Sequence, residues 1–261
     1  MFNLILKTLY DKRSFIIGWG IGMALMSLLM IVVYPSFQNF NLDEMLKNVP
    51  PAMKGLVDVG NLKTLAGYIG AQLFDVRLPM FIGVSSIMLA VGLTVTEEEK
   101  GYLRTLSALP ASRLKIFFSK LLTMVLINLA ITISTVIGIY IGLFVIGESI
   151  DANVIIRLAA MTWLMSTCLT SIVFGIGMAT GKKGITMGIG VILTIASFIL
   201  TTFAKSVDWL KPYEKLSIFH YFPASDIATK GIDIVDVAVF AGLIVVFVVY
   251  GAISFHRRDI R

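Results

Sequence analysis

Six stretches of this chain contain no Asp, Glu, Lys or Arg: 14–34, 78–96, 121–147, 158–181, 184–204 and 237–255. The hydrocarbon core of a bilayer is roughly 30 Å thick, and about 20 apolar helical residues cross it. All six runs meet or approach that length. A charge at the centre of such a helix costs about 2.5–3.5 kcal/mol on insertion scales, so six clean windows in succession are hard to explain outside a membrane. Only 15% of the residues are charged, against about 25% in a typical soluble domain. The core helices of a soluble protein are normally shorter and flanked by charge. The pattern predicts an all-α membrane protein with six transmembrane helices in one domain, residues 1–261.

Orientation follows from the basic residues. With the N-terminus in the cytosol, the cytosolic segments hold Lys7, Lys12, Arg13, Lys100, Arg104, Arg113, Lys115, Lys120, Lys182, Lys183, Arg257, Arg258 and Arg261, thirteen of the 22 Lys and Arg. Short cytosolic loops carry the denser share of Lys and Arg, so both termini are expected in the cytosol. The net charge of +6 then marks an inner surface facing membrane lipid, and nothing in its distribution suggests nucleic acid. The apolar run at 14–34 is too long for a signal peptide and ends without a small-residue cleavage site, so it is expected to be retained. The single cysteine, Cys168, lies in the fourth run and reads as a packing residue.

The connections carry weaker patterns. Phe2, Ile5, Leu6 and Leu9 repeat at helical spacing before the first run, which predicts an amphipathic helix in the inner interface. In the long outer connection 35–77, Leu42, Met45, Leu46 and Val49 form one helical pattern and Leu56–Leu73 a second, both expected to be interfacial. Asp75 and Arg77 precede Pro79 at the edge of the second span. There they can pair with each other as a gate, bind lipid phosphates, or remain a solvated edge. Glycines spaced four apart (Gly18 and Gly22, Gly138 and Gly142, Gly177 and Gly181, Gly184 and Gly188) allow close helix approach. The first and last pairs are candidates for contact with a second copy.

The polar stretch Thr96–Lys120 separates the second and third runs. Tyr102, Leu106 and Leu109, with Leu103 beside them, make an apolar ridge opposite Lys100, Arg104, Thr105 and Ser107. The spacing predicts a short amphipathic helix over Glu97–Leu109 whose ridge can seat in a partner's cleft. Its acids suit a helix N-terminus, Pro110 stops it, and Ser112 can cap the next helix, which carries Arg113, Lys115 and Lys120. From these residues alone, a charged cytosolic turn obeying the positive-inside rule explains the stretch equally well. The order Glu-x-Glu-x-Gly, Leu-Pro-x-Ser-Arg and a later Lys, at Glu97, Glu99, Gly101, Leu109, Pro110, Ser112, Arg113 and Lys120, resembles the first cytosolic loop of permease subunits of type-2 ATP-binding-cassette exporters. Tyr102 departs from that pattern, which often has Thr after the glycine.

The resemblance implies a coupling helix formed by this stretch, short outer-leaflet helices between spans 5 and 6, and location in the cell membrane. It also implies two copies of a separate ATP-binding-cassette ATPase and a second permease, identical or related, with spans 2 and 5 at the permease interface. ATP and Mg would sit on the ATPase, with no cofactor on this chain. The residues agree with that division of labour. No G-x-x-x-x-G-K-[ST] occurs, because Ile176 stands where Gly181-Lys182 would need its first glycine. Only His220 and His256 are present, both outside the runs, so neither a bis-histidine haem nor an H-E-x-x-H zinc site is available. An intramembrane acid, the usual mark of ion-coupled carriers, is missing from all six runs. The expected function is outward movement of a hydrophobic or amphipathic cargo, driven by the ATPase; the alternative is an ATP-independent channel or carrier. Replacing Leu106 with Glu should abolish association with the ATPase in a pull-down, and undiminished complex formation would count against docking through the ridge.

Overall fold

The computed structural model describes residues 2–38, 64–102, 112–204 and 207–258. Among them there is no strand, and six helices are long and apolar enough to cross a membrane. An N-terminal helix, Phe2–Asp11, leads through a bend at Lys12 into span 1, Arg13–Val32. Span 2 runs over Leu65–Glu99. Spans 3 to 6 are Arg113–Ile146, Ala152–Thr180, Lys183–Phe203 and Ile234–Arg257. With six crossings, both described termini lie at one end of the bundle, here called the termini end.

The helix boundaries follow local chemistry. Ser112 accepts from the Lys115 N–H at 3.3 Å and caps span 3 as its sequence suggests. Asp151 and Asp233 cap spans 4 and 6 by accepting from Asn153 N and Val235 N. Spans 3 and 4 stop at Gly147 and Gly181, whose φ angles of 70° and 62° lie in the left-handed region that a side chain resists. Span 3 starts at Arg113 rather than at the beginning of its apolar run, so its first two turns extend the helix on the termini side.

The connection before span 2 departs from the sequence reading. The first expected helix, around Leu42–Val49, lies outside the described residues, as does the start of the second. From Leu65 onward, however, the chain is continuous with span 2, through a π-helical stretch at Ile69–Arg77, rather than a separate interfacial helix. Tyr68, Ile69, Leu73 and Phe74 are buried there, and the Tyr68 hydroxyl donates to Met30 O of span 1 at 3.0 Å. Those apolar residues face protein, so periodicity that suited an interface serves an interior contact instead. Between spans 5 and 6 the chain forms short helices at Asp208–Leu216, Phe219–Tyr221 and Ala224–Thr229.

Span 4 is the centre of the bundle, buried along most of its length and packed on spans 2, 3, 5 and 6. Glycines set the closest crossings. Gly175 of span 4 faces Gly251 and the Phe247 carbonyl of span 6, while Gly138 and Gly142 of span 3 lie on Ala24 and Ile31 of span 1. Lipid offers helices no hydrophobic drive to associate, so such backbone approach supplies much of the packing attraction. Four buried hydroxyls are satisfied within their own helices: Ser27, Thr123, Thr135 and Thr162 donate to carbonyls four residues back at 2.7–3.0 Å. Asn128 Nδ2 donates across to Thr170 Oγ1 at 3.1 Å, tying span 3 to span 4.

The four glycine pairs therefore divide. A Cβ added at Gly18, Gly22, Gly184 or Gly188 meets nothing within 4 Å, whereas one at Gly138 strikes the Ala24 backbone. Gly138→Ala should lower the unfolding midpoint of the purified subunit in detergent, at an overpacking cost of about 1–3 kcal/mol. Gly188→Ala should leave that midpoint unchanged or raise it, since alanine favours a helix by about 1 kcal/mol over glycine.

Candidate functional site

The polar residues at the termini end converge on the last turn of span 2. The helix that crosses the bundle ends at Leu93; Thr94 takes φ −115° and ψ −95°, and a further turn runs over Val95–Glu99. Three consecutive glutamates on this turn bind three different elements. Glu97 accepts from the Lys120 ammonium of span 3. Glu98 Oε2 accepts from Arg258 Nη2, just past span 6, at 2.5 Å. Glu99 lies 3.5 Å from Lys183 Nζ at the start of span 5. One short turn is thus linked to spans 3, 5 and 6.

The three links differ in strength because they differ in burial. Lys120 is 1% exposed and Glu97 15%, and Lys120 also donates to the Leu93 carbonyl at 2.8 Å. Glu98 and Arg258 are mostly buried, whereas Glu99 and Lys183 are about half exposed, where an ion pair contributes about 0–1 kcal/mol. Gly181 makes room for the middle pair: a Cβ there would collide with the Arg258 guanidinium and come within 3.0 Å of Glu98 Oε2. Arg113 binds the end of span 6 from another side, donating from Nη1 to the carbonyls of His256 at 3.3 Å and Arg258 at 2.5 Å. Beneath these charges Phe117, Phe174 and Phe255 close the seam between spans 3, 4 and 6; the Phe117 ring centroid is 5.2 Å from that of Phe174 and 6.3 Å from that of Phe255.

The N-terminal helix joins the same end of the bundle. Lys7 Nζ stands 4.9 Å from the Tyr102 ring centroid, a cation–π contact, and Lys12 Nζ donates to the Gly92 carbonyl at 2.8 Å. Burial holds the Lys12 ammonium below its ordinary pKa, opposed by the attraction of Glu97.

The expected site residues divide as follows. Glu97, Glu99, Gly101, Tyr102 and Arg113 lie together at the termini end. Leu103, Leu106, Leu109 and Pro110 lie outside the described residues. The expectation of one helix from Glu97 to Leu109 is corrected at its start: Gly101 has φ +73°, so the acidic turn ends there and Tyr102 lies beyond the bend. The acids therefore extend span 2. Asp75 and Arg77 lie at the opposite end. Asp75 accepts from Ala224 N at 2.6 Å and Ser225 Oγ at 2.8 Å, fixing the short helix Ala224–Thr229, and Arg77 donates to the Gln72 side-chain oxygen at 2.8 Å. Lys12, Glu98, Lys183 and Arg258 were absent from the sequence-based set. Their only signal is position, in short charged clusters at the margins of long apolar runs. Among the described residues no group of three or more His, Cys, Asp or Glu is placed to hold a metal ion.

A six-span helical bundle that concentrates its buried charge at the root of one interhelical segment defines a membrane-domain protein built around that segment. The sequence profile of the ABC-2 family transporter proteins matches residues 2–260, and the chain belongs to that family. It is a multi-pass membrane protein, a permease of an ATP-binding-cassette transporter, and membership implies an ATPase partner. A search of curated proteins finds no match.

Glu97→Gln should be the most destabilising single change in this cluster, at about 3–5 kcal/mol, because it leaves the buried Lys120 ammonium without its counter-charge. Combining it with Lys120→Met should recover most of the loss. Lys183→Ala should change stability by less than about 1 kcal/mol. Unfolding midpoints of the purified subunit in detergent check all three.

Proposed function

We propose that this permease exports a hydrophobic or amphipathic cargo, driven by a separate ATPase that docks on the segment between spans 2 and 3. The observation that carries the proposal is the fan of ion pairs from Glu97, Glu98 and Glu99 to spans 3, 6 and 5. A force applied beyond Gly101 reaches this turn first, and the turn is fastened to half of the bundle. A partner pressing on the ridge of Leu103, Leu106 and Leu109 would therefore move several spans together. In this reading both termini face the cytosol, since the termini end holds the docking segment and most of the Lys and Arg. The functional unit would contain two ATPase subunits, which bind ATP and Mg, and two permeases, identical or related. The absence of charge from the six apolar runs favours a cargo of low polarity.

The decisive experiment is gentle extraction of the native particle, with mass spectrometry of bound subunits and retained small molecules, then reconstitution into liposomes. The expected result is a P-loop ATPase in the particle and transport that requires both ATP and that subunit. Transport by the purified permease without an ATPase would overturn the proposal in favour of an ATP-independent channel or carrier.

A further inference from the structure

The break in span 2 is held in an unusual way. A helix C-terminus leaves its last carbonyls without partners from the next turn. Here the Thr94 N–H reaches Ala90 O at 3.1 Å and Val91 O at 3.4 Å, and the Thr94 hydroxyl also donates to Ala90 O at 2.7 Å. The backbone ladder resumes with Glu98 N donating to Thr94 O. The two carbonyls between, Gly92 O and Leu93 O, are each taken by an ammonium at 2.8 Å: Lys12 from the bend before span 1, and Lys120 from span 3. The negative end of the helix dipole favours cations at this position.

The surroundings keep both lysines in place. Glu97 pairs with Lys120 and also attracts Lys12, while Asp11 and Lys100 act on Lys12 in opposite senses. Gly92 leaves space for the first clamp, since a Cβ there would lie 3.0 Å from Lys12 Nζ. Gly177 of span 4 lets the break seat deeply, since a Cβ there would lie 2.5 Å from Thr94 Oγ1. Thr94 itself is 1% exposed. An irregular backbone joint is therefore buried, closely packed on one side and pinned by charge on two others.

We propose that the break at Thr94 is a locked joint through which the coupling stroke passes, and that Lys12 and Lys120 are positioning residues that lock it by pinning the Gly92 and Leu93 carbonyls. Displacement of the three-glutamate turn then enters span 2 instead of being absorbed at the break. This rests on the ATPase-driven reading above. The N-terminal helix gains a defined part, because Lys12 is its attachment to the joint.

The test uses the full permease–ATPase complex in lipid nanodiscs, on a Cys168→Ala background. Spin labels are placed at Lys100, below the break, or at exposed Met88, above it. Each is paired with a label at exposed Ile234 at the far end. In the otherwise native complex, ATP with vanadate should shift both distances. In Lys12→Met the Lys100 shift should persist and the Met88 shift should be lost. Gly92→Val, whose branched methyls would take the place of an ammonium that even a Cβ would approach to 3.0 Å, displaces Lys12 without removing its charge; it should give the same split and serves if Lys12→Met fails to assemble. A role in stability alone would lower the unfolding midpoint without separating the two labels. A full Met88 shift in either variant, or no Met88 shift in the native complex, overturns the locked joint. Failure of any ATPase to co-purify overturns the functional reading instead, before a distance is measured.

Discussion

A primary ammonium, 1% exposed, sits at the junction of spans 2 and 3. Stripping an ion of water costs several kcal/mol even after the protein relaxes, so Lys120 is tolerable only with strong partners. Glu97 supplies the counter-charge and Leu93 O a further acceptor. The geometry of the termini end depends on this one pair. Meeting the need of Lys120 brings the acidic turn back over span 3. The turn then places Glu98 beside Arg258 and Glu99 beside Lys183. Neither Glu98 nor Glu99 could serve Lys120 without giving up its own contact.

The apolar interior solves a different problem. Most spans present large hydrophobic side chains to their surroundings, as Ile192, Ile195, Val245 and Val246 do. With such side chains equally at home in lipid, cohesion depends on close backbone approach and on a few polar crossings. Gly175 against Gly251, Gly138 against Ala24, and Asn128 with Thr170 join the helices in pairs. Span 4 holds the pairs together. This division leaves span 1 and span 5 with open glycines at Gly18, Gly22, Gly184 and Gly188, where none of the described residues would meet an added Cβ.

Much of this was legible in the residues. Six charge-free runs predicted six helices, and Ser112 predicted the cap at the start of span 3. The continuous helix from Leu65 into span 2 was not legible, because Tyr68, Ile69 and Leu73 give the same periodicity facing a membrane surface or facing span 1. The break at Thr94 has only Gly92, two residues before it, to announce it, and glycine is common inside membrane helices. The bend at Gly101 did have a glycine, but the acids before it suited the N-terminus of the helix expected over Glu97–Leu109. Of the charged cluster, Glu97, Glu99 and Arg113 were marked by a motif, whereas Lys12 and Arg258 lie some 80 and 160 residues from the groups they bind.

The amino-acid order alone determined that this chain crosses a membrane six times, because the cost of desolvating charge is a property of each segment and needs no knowledge of its neighbours. It also determined that the polar stretch between spans 2 and 3 is set apart from the rest. Only the tertiary structure decided which glutamate meets which cation, which glycines are crossings and which are open, and where span 2 breaks. Those outcomes depend on distances between helices remote in sequence, and Glu97, Glu98 and Glu99 each had several possible cations until packing brought one to each.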